Sequence, residues 1–323
     1  MTANDAKSKM ASDLRARNTT AVIFEVTFST VVFLCSLIGN FLVLFSTYRN
    51  SALRKGVYIY IFFLSLNDMT MTMLLVLMSL KSLVLGYNAY GTIACDVQGV
   101  LLLASFLVSL FLMSFIAISR YFKMLKTQVY NRVFNSKFGV FSSICMWVFW
   151  SMVWTVAVAV SDRLVEFHPG FSICTIDLDK TVLLKLIVLL SVASNYIVIV
   201  FCYFKIWRFV RSHTEAMSNS QVNAEEVKTV RILFAIVLAF TLCISPMFLC
   251  GFVDAVFGMY KLPRQLYLTV VLMVGLSSIV NPVINGCMNQ TYQQEFKKII
   301  HAMNILRCRN RNVIISFSTE QIE

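Results

Sequence analysis

Apolar and polar positions divide this chain into seven long apolar runs, at roughly 22–47, 57–83, 95–122, 138–160, 181–207, 230–257 and 265–287. Each run is long enough to cross a bilayer as a helix. Period-two alternation in ten-residue units is missing, which excludes a β-barrel. The pattern predicts an all-α fold, a bundle of seven transmembrane helices. The third run, from Cys95 to Tyr121, carries no charge between Gly99 and Ile118. As a helix it reaches about 30 Å, the thickness of the hydrocarbon core. After the seventh run, residues 292–300 place apolar side chains at helical spacing beside Lys297 and Lys298. That pattern predicts a short amphipathic helix on the inner leaflet. Three regions follow: an extracellular N-terminal tail (1–21), the seven-span domain (22–290), and an amphipathic helix with cytoplasmic tail (291–323).

Composition agrees with this reading. The chain is 58% hydrophobic and 14% charged, too few charges for the surface of a soluble protein of this size. Mean hydropathy is +0.75. The net charge of +12 raises the question of nucleic acid, yet no basic stripe interleaves with aromatics on a polar face. The excess has a positional cause instead. With the N-terminus outside, eighteen Lys and Arg residues lie on the cytoplasmic side and ten outside. The positive-inside rule selects that topology, a multi-pass protein of the plasma membrane with its C-terminus in the cytosol. No secretory signal peptide is visible in the polar first twenty residues. Asn18-Thr19-Thr20 then reads as an extracellular glycosylation acceptor, with a chance match to a loose three-residue pattern as the alternative. Cys308, among Arg307, Arg309 and Arg311, is a candidate for palmitoylation, with a plain cytosolic thiol as the alternative.

The polar residues inside the runs are few enough to name. Two of nine cysteines, Cys95 and Cys174, fall in extracellular positions, where an oxidising exterior allows them to pair. Two free thiols are the alternative. Asp68 lies mid-membrane, and Asn40, Ser109, Ser278 and Asn281 are the residues able to converge on it. Together they offer the oxygens that a small monovalent cation or ordered water needs; a protonated, hydrogen-bonded Asp68 with a packing role is the other reading. Pro246 and Pro282 interrupt the sixth and seventh runs, as hinges or as static bends.

In order along the chain stand Gly39-Asn40, Leu64, Asp68, Cys95, Ser119-Arg120-Tyr121, Trp147, Tyr203, Cys243-Ile244-Ser245-Pro246 and Asn281-Pro282-Val283-Ile284-Asn285. In this topology they resemble a rhodopsin-like (class A) G-protein-coupled receptor, over residues 22 to about 303. The segments VFCYFKIWRFV (200–210), EFHPGFSICTI (166–176) and NGCMNQTYQQEFKKII (285–300) are similar to melatonin receptors. The resemblance implies a heterotrimeric G protein as partner, Gi/o by the melatonin-like analogy, and membrane lipids around the bundle. It makes Arg120 the residue that meets the G protein when the sixth span swings out. Tyr203 would turn toward Arg120, and Glu226 would pair with it at rest, unless Glu226 is an ordinary solvated residue. Asp68, Ser109, Ser278 and Asn281 correspond to the family's sodium site.

The departures from the family pattern are as specific as the matches. Ser119 stands where the family has an acid, Ile244 for a tryptophan, Asn285 for a tyrosine and Asn195 for a proline. In such a receptor the small extracellular ligand would lie among Leu102, Leu103, Phe106, Ile187, Ser191, Ile244, Met247, Phe248, Gly251, Tyr267, Val271 and Gly275. Leu102 gives an amine no counter-ion, and Gly275 lacks the lysine that would hold retinal as a Schiff base. The polar handles of a melatonin pocket fall on Ala157 and Leu178. A cavity so lined suits a small lipophilic or aromatic ligand, unless these side chains simply pack together. His168 reads as a solvated loop residue, and Glu25, Asp254 and Arg264 as scattered outer charges able to meet a polar or peptidic ligand.

Other function classes predict features this sequence does not offer. A transporter or channel wants a polar path and often an internal repeat, and only Asp68 is deep. An enzyme wants a nucleophile or metal cluster in the spans; the three histidines lie outside them, so no catalytic residue and no metal beyond sodium is expected. A seven-span scaffold with constitutive or ligand-independent signalling is the nearest alternative.

Overall fold

Helix punctuation in the sequence is honoured where side chains meet freed backbone groups. In the computed structural model, which describes residues 3–161, 163–177, 181–216, 222–258 and 260–302, helix α1 spans Ala3–Arg15 and α2 spans Thr19–Arg49. Asn18 separates them, its Oδ1 accepting the Ala21 N–H at 2.8 Å. The helix that carries the first apolar run therefore begins at Thr19, and the polar tail before it is itself helical. Ala6, Met10 and Leu14, four residues apart on α1, are buried.

The second span is helix α3 (Val57–Thr72), a π-helical turn (Met73–Leu77) and helix α4 (Met78–Leu85). Among the described residues six helices are long and apolar enough to cross a membrane unaided, and this interrupted one completes the seven. The carbonyl of Leu74 within the π turn accepts from Gln98 Nε2 at 2.9 Å. Helix α5 (Thr92–Leu125) is the third span and the most enclosed, packed against α3, the fourth and fifth spans and the hairpin. A short helix α6 (Thr127–Val133) precedes α7 (Ser136–Val160).

Between the fourth and fifth spans runs a β-hairpin that the all-helical pattern did not predict. Strands β1 (Val165–His168) and β2 (Ile173–Ile176) pair antiparallel, with Phe167 opposite Cys174. Helices α8 (Val182–Ala216), α9 (Val222–Phe257) and α10 (Arg264–Met288) follow, with Pro246 inside α9 and Pro282 inside α10. Residues 290–302 form α11. It buries Tyr292 and Ile299 and leaves Lys297 and Lys298 exposed, as its amphipathic pattern predicts. The Tyr292 hydroxyl lies 3.2 Å from Thr47 Oγ1. Cys308 lies outside the described residues, as does Leu178.

Large apolar side chains cover the outside of the bundle. Phe24, Phe141, Val156, Ile197 and Leu249 are among many more than half exposed. Water would penalise such a surface, and lipid satisfies it.

Both prolines are accommodated by neighbours. Pro282 cannot donate to the Ser278 carbonyl four residues back, and Asn40 Nδ2 donates to it instead at 2.8 Å. The Leu242 carbonyl, orphaned by Pro246, accepts from the Ser245 hydroxyl at 3.2 Å. Gly39 lets α2 approach the bend, since a Cβ there would sit 2.8 Å from Pro282 Cγ.

Candidate functional site

The chemistry lies at three depths, and the middle one is a polar column through the bundle. Asp68, buried on α3, accepts at Oδ2 from Asn281 Nδ2 of α10 at 2.6 Å. Asn40 of α2 reaches the Ser278 and Ser36 carbonyls, the latter at 3.0 Å. Ser109 belongs to the column, but its hydrogen bond is to Asn67, whose Nδ2 donates to Ser109 Oγ at 2.6 Å and to the Ser105 carbonyl at 2.9 Å. Ser36 and Thr72 hydroxyls meet at 2.8 Å. Asn67, Ser105, Ser36 and Thr72 were missed from the sequence. Asn67 adjoins Asp68, and the 100° helical step turns it to α5 while Asp68 faces α10.

Hard oxygens dominate this column. Asn40 Oδ1, Asn67 Oδ1, Ser105 Oγ, Ser278 Oγ, Asn281 Oδ1 and Asn285 Oδ1 are buried with no hydrogen-bond partner among the described residues. Beside a carboxylate, such a donor set fits a hard monovalent cation or ordered water.

At one end of the column α5 closes on Ser119-Arg120-Tyr121. Ser119 and Arg120 are both buried. Arg120 sits within electrostatic reach of Tyr203, whose ring meets Phe234 of α9 edge-on at 5.8 Å. Tyr121 packs on Phe122 and on Phe201 of α8, at 5.3 and 6.1 Å between centroids. Asn285, in the place of the family's tyrosine, donates to the Asn281 carbonyl at 2.8 Å. The side chain of Glu226 lies outside the described residues. Asn195, in the place of the family's proline, lies within the continuous helix α8; its Oδ1 accepts from the Ser114 hydroxyl of α5 at 2.6 Å and ties the two spans together.

At the opposite end Cys95 and Cys174 are joined by a disulfide, with Cα atoms 5.2 Å apart. Gln98 reinforces the staple, accepting the Cys174 N–H at 2.8 Å while it holds the π turn. Three expectations fail here. His168 is not solvated: it is buried, stacked between Phe171 and Tyr260 at 4.1 and 4.7 Å. Burial first, and then the Lys7 charge, lower its pKa to about 3. The outer charges are not free for a ligand either. Glu25 binds both Arg17 and Arg264, and Asp254 accepts the Tyr267 hydroxyl. Tyr267 is fully enclosed against His168 and Phe171, so it builds the roof rather than a cavity wall.

The remaining ligand-position residues divide by burial. Leu102, Ile244 and Gly275 are buried, and a Cβ on Gly275 would meet Val32 of α2 at 3.2 Å, so that position faces the first span. Leu103, Phe106, Ile187, Ser191 and Val271 are half-buried. Met247 and Phe248 are 40% and 42% exposed, and the Phe106 and Phe248 rings lie 6.2 Å apart across α5 and α9.

Residues 39–284 match the family model described as "7 transmembrane receptor (rhodopsin family)". The chain is similar to the melatonin receptor type 1A of Phodopus sungorus, at 26% identity over 86% of this chain and 79% of that one. It is 24% identical to the mouse (Mus musculus) melatonin receptor type 1A, over 93% and 84%. Among solved structures, squid rhodopsin superposes with a TM-score of 0.75 at 19% identity, covering 89% of this chain and 87% of that one.

Proposed function

The chain belongs to the rhodopsin family of seven-transmembrane receptors, multi-pass membrane proteins that signal through G proteins and are not enzymes, and on that premise we propose that it carries the signal of a small lipophilic or aromatic extracellular ligand to a Gi/o-type G protein. The N-terminus faces outside, which makes the exposed Asn18 a glycan acceptor. The observation that carries the reading is Arg120, buried at the end of the central helix beside Tyr203, which in turn rests on α9 below its proline. A ligand that prefers the state with α9 displaced raises the fraction of molecules presenting Arg120 to the transducer. Likeness to the melatonin receptors supports an indoleamine or similar aromatic ligand, and the half-exposed Met247 and Phe248 near Phe106 support an apolar site for it.

A G-protein dissociation assay in cells, run against a lipophilic and indoleamine library, tests this. Arg120→Ala is expected to abolish at least nine-tenths of the ligand-driven and basal signal at equal surface expression. Equal signals from parent and variant would remove the mechanism and favour a scaffold.

The polar column supports a second element of the proposal. Asp68, with Asn40, Ser109, Ser278 and Asn281 around it, would hold sodium, whose charge would be neutralised by the Asp68 carboxylate. Sodium bound only to the folded state stabilises it, by about 1.4 kcal/mol at ten times its Kd. The purified receptor should therefore melt several degrees higher in sodium chloride than in choline chloride at equal ionic strength. Asp68→Asn should erase that difference. Identical melting of the parent in both salts would leave Asp68 with a packing role.

A further inference from the structure

We propose that the groove under α1 at the hairpin end is a second ligand site, one that takes a small organic cation with an apolar body and uses Asp96 as its counter-ion. The groove has a volume of about 1140 Å³, roomy for a drug-sized molecule. Its walls include Lys7 on α1, Asn88 before α5, Asp96 on α5, Val158 at the end of α7, and Leu164, Glu166 and Phe167 of the loop and hairpin.

The roof is built in advance. One face of α1 is buried through Ala6, Met10 and Leu14, and Lys7 is paired with Glu166. Beyond α1, Arg17 binds Glu25 of α2 and the Leu83 carbonyl of α4. The disulfide at Cys95 fixes the floor against β2. A ligand entering such a groove orders little of the protein, which favours binding.

Charge selects the occupant. Lys7 and Glu166 neutralise each other, and Arg163, which also lines the groove, is engaged in an interaction of its own. Asp96 is half-buried and has no hydrogen bond or ion pair among the described residues. Asp96 is thus a carboxylate with no partner among the described residues, and Val158 and Phe167 give the same groove an apolar wall. An ammonium at Asp96 with its hydrocarbon on that wall satisfies both; an anion satisfies neither. The site is separate from the inner ligand positions. Asp96 precedes Leu102 by six residues on the same helix, about 9 Å along its axis, and the groove is lined by none of those residues.

The test uses the full-length receptor in lipid nanodiscs and saturation-transfer NMR, with benzyltrimethylammonium as probe and benzenesulfonate as its anionic counterpart. Transfer to the cation and none to the anion is expected. Asp96→Asn, nearly isosteric, should weaken the cation at least tenfold. Val158→Trp, which fills the apolar end and leaves the carboxylate in place, should do the same, so the site is probed from both ends. No transfer to the cation overturns the proposal. So does equal transfer to both probes, or parental affinity in either variant. Any of these results would leave the signalling role of Arg120 untouched, because that end of α5 shares nothing with the groove.

Discussion

Replacing Glu25 by glutamine is expected to lower the stability of the bundle by roughly 3–5 kcal/mol. Two guanidinium groups converge on this one carboxylate, and the side chains of Arg17, Arg264 and Glu25 are only 5%, 3% and 9% exposed. Removing the acid leaves two like charges buried next to each other, each with part of its hydration lost. Arg17 keeps the carbonyls of Leu14 and Leu83, whereas Arg264 loses both of its contacts to Glu25. The burden therefore falls on the hairpin end of α10, beside the aromatic roof that Tyr267 completes. Arg17→Met makes the informative contrast. It removes one cation and leaves Glu25 and Arg264 as a one-to-one pair, so its cost should be less than half as large. Thermal unfolding of the purified receptors measures both. If Glu25→Gln melts with the parent, the carboxylate does not hold α2 to α10.

The spans were legible because a twenty-residue apolar run has few alternatives to a membrane helix, and the basic residues ordered its ends. The break in the second span was not. Nothing local in Met73–Leu77 forces a π turn; its partner is Gln98, on a different helix. Helix α1 was hidden for the opposite reason, since its buried face rests on three modest side chains amid charges. In retrospect Ala6, Met10 and Leu14 at fourfold spacing are the signal. The pairing of Asp68 with Asn281 was within reach, because a mid-membrane acid must find polar company. Solvation of His168 was the wrong expectation because a loop position says nothing about what folds over it. Here α1 and the turn at Tyr260 cover the hairpin, and an apparently exposed histidine becomes part of a packed aromatic cluster. Glu25 and Arg264 misled in the same way. They are 239 residues apart, and only the closing of the first span against the seventh brings them together.

Cys174→Ser is the second change with a large expected effect. The bridge to Cys95 closes a loop with a sequence separation of 79. For a loop of that size the chain-entropy argument gives roughly 4.5 kcal/mol, and measured disulfides more often deliver about 2–4. The lower range applies here, because the hairpin has other holds. Gln98 binds the Cys174 N–H, and Val165 packs so closely on Gly99 that a Cβ there would lie 2.7 Å away. Those contacts preserve the register of the hairpin but not its anchorage when α1 or β1 opens. The variant should melt well below the parent, and reductant should bring the parent down to the variant's midpoint while leaving the variant unmoved. Cys95→Ser combined with Cys174→Ser should cost no more than either change alone, since both remove one bond. Unreduced peptide mapping supplies the direct check: a fragment containing Cys95 should travel with one containing Cys174. If both thiols alkylate without reduction, the hairpin is held by Gln98 and packing, and the double variant should then lose almost no stability.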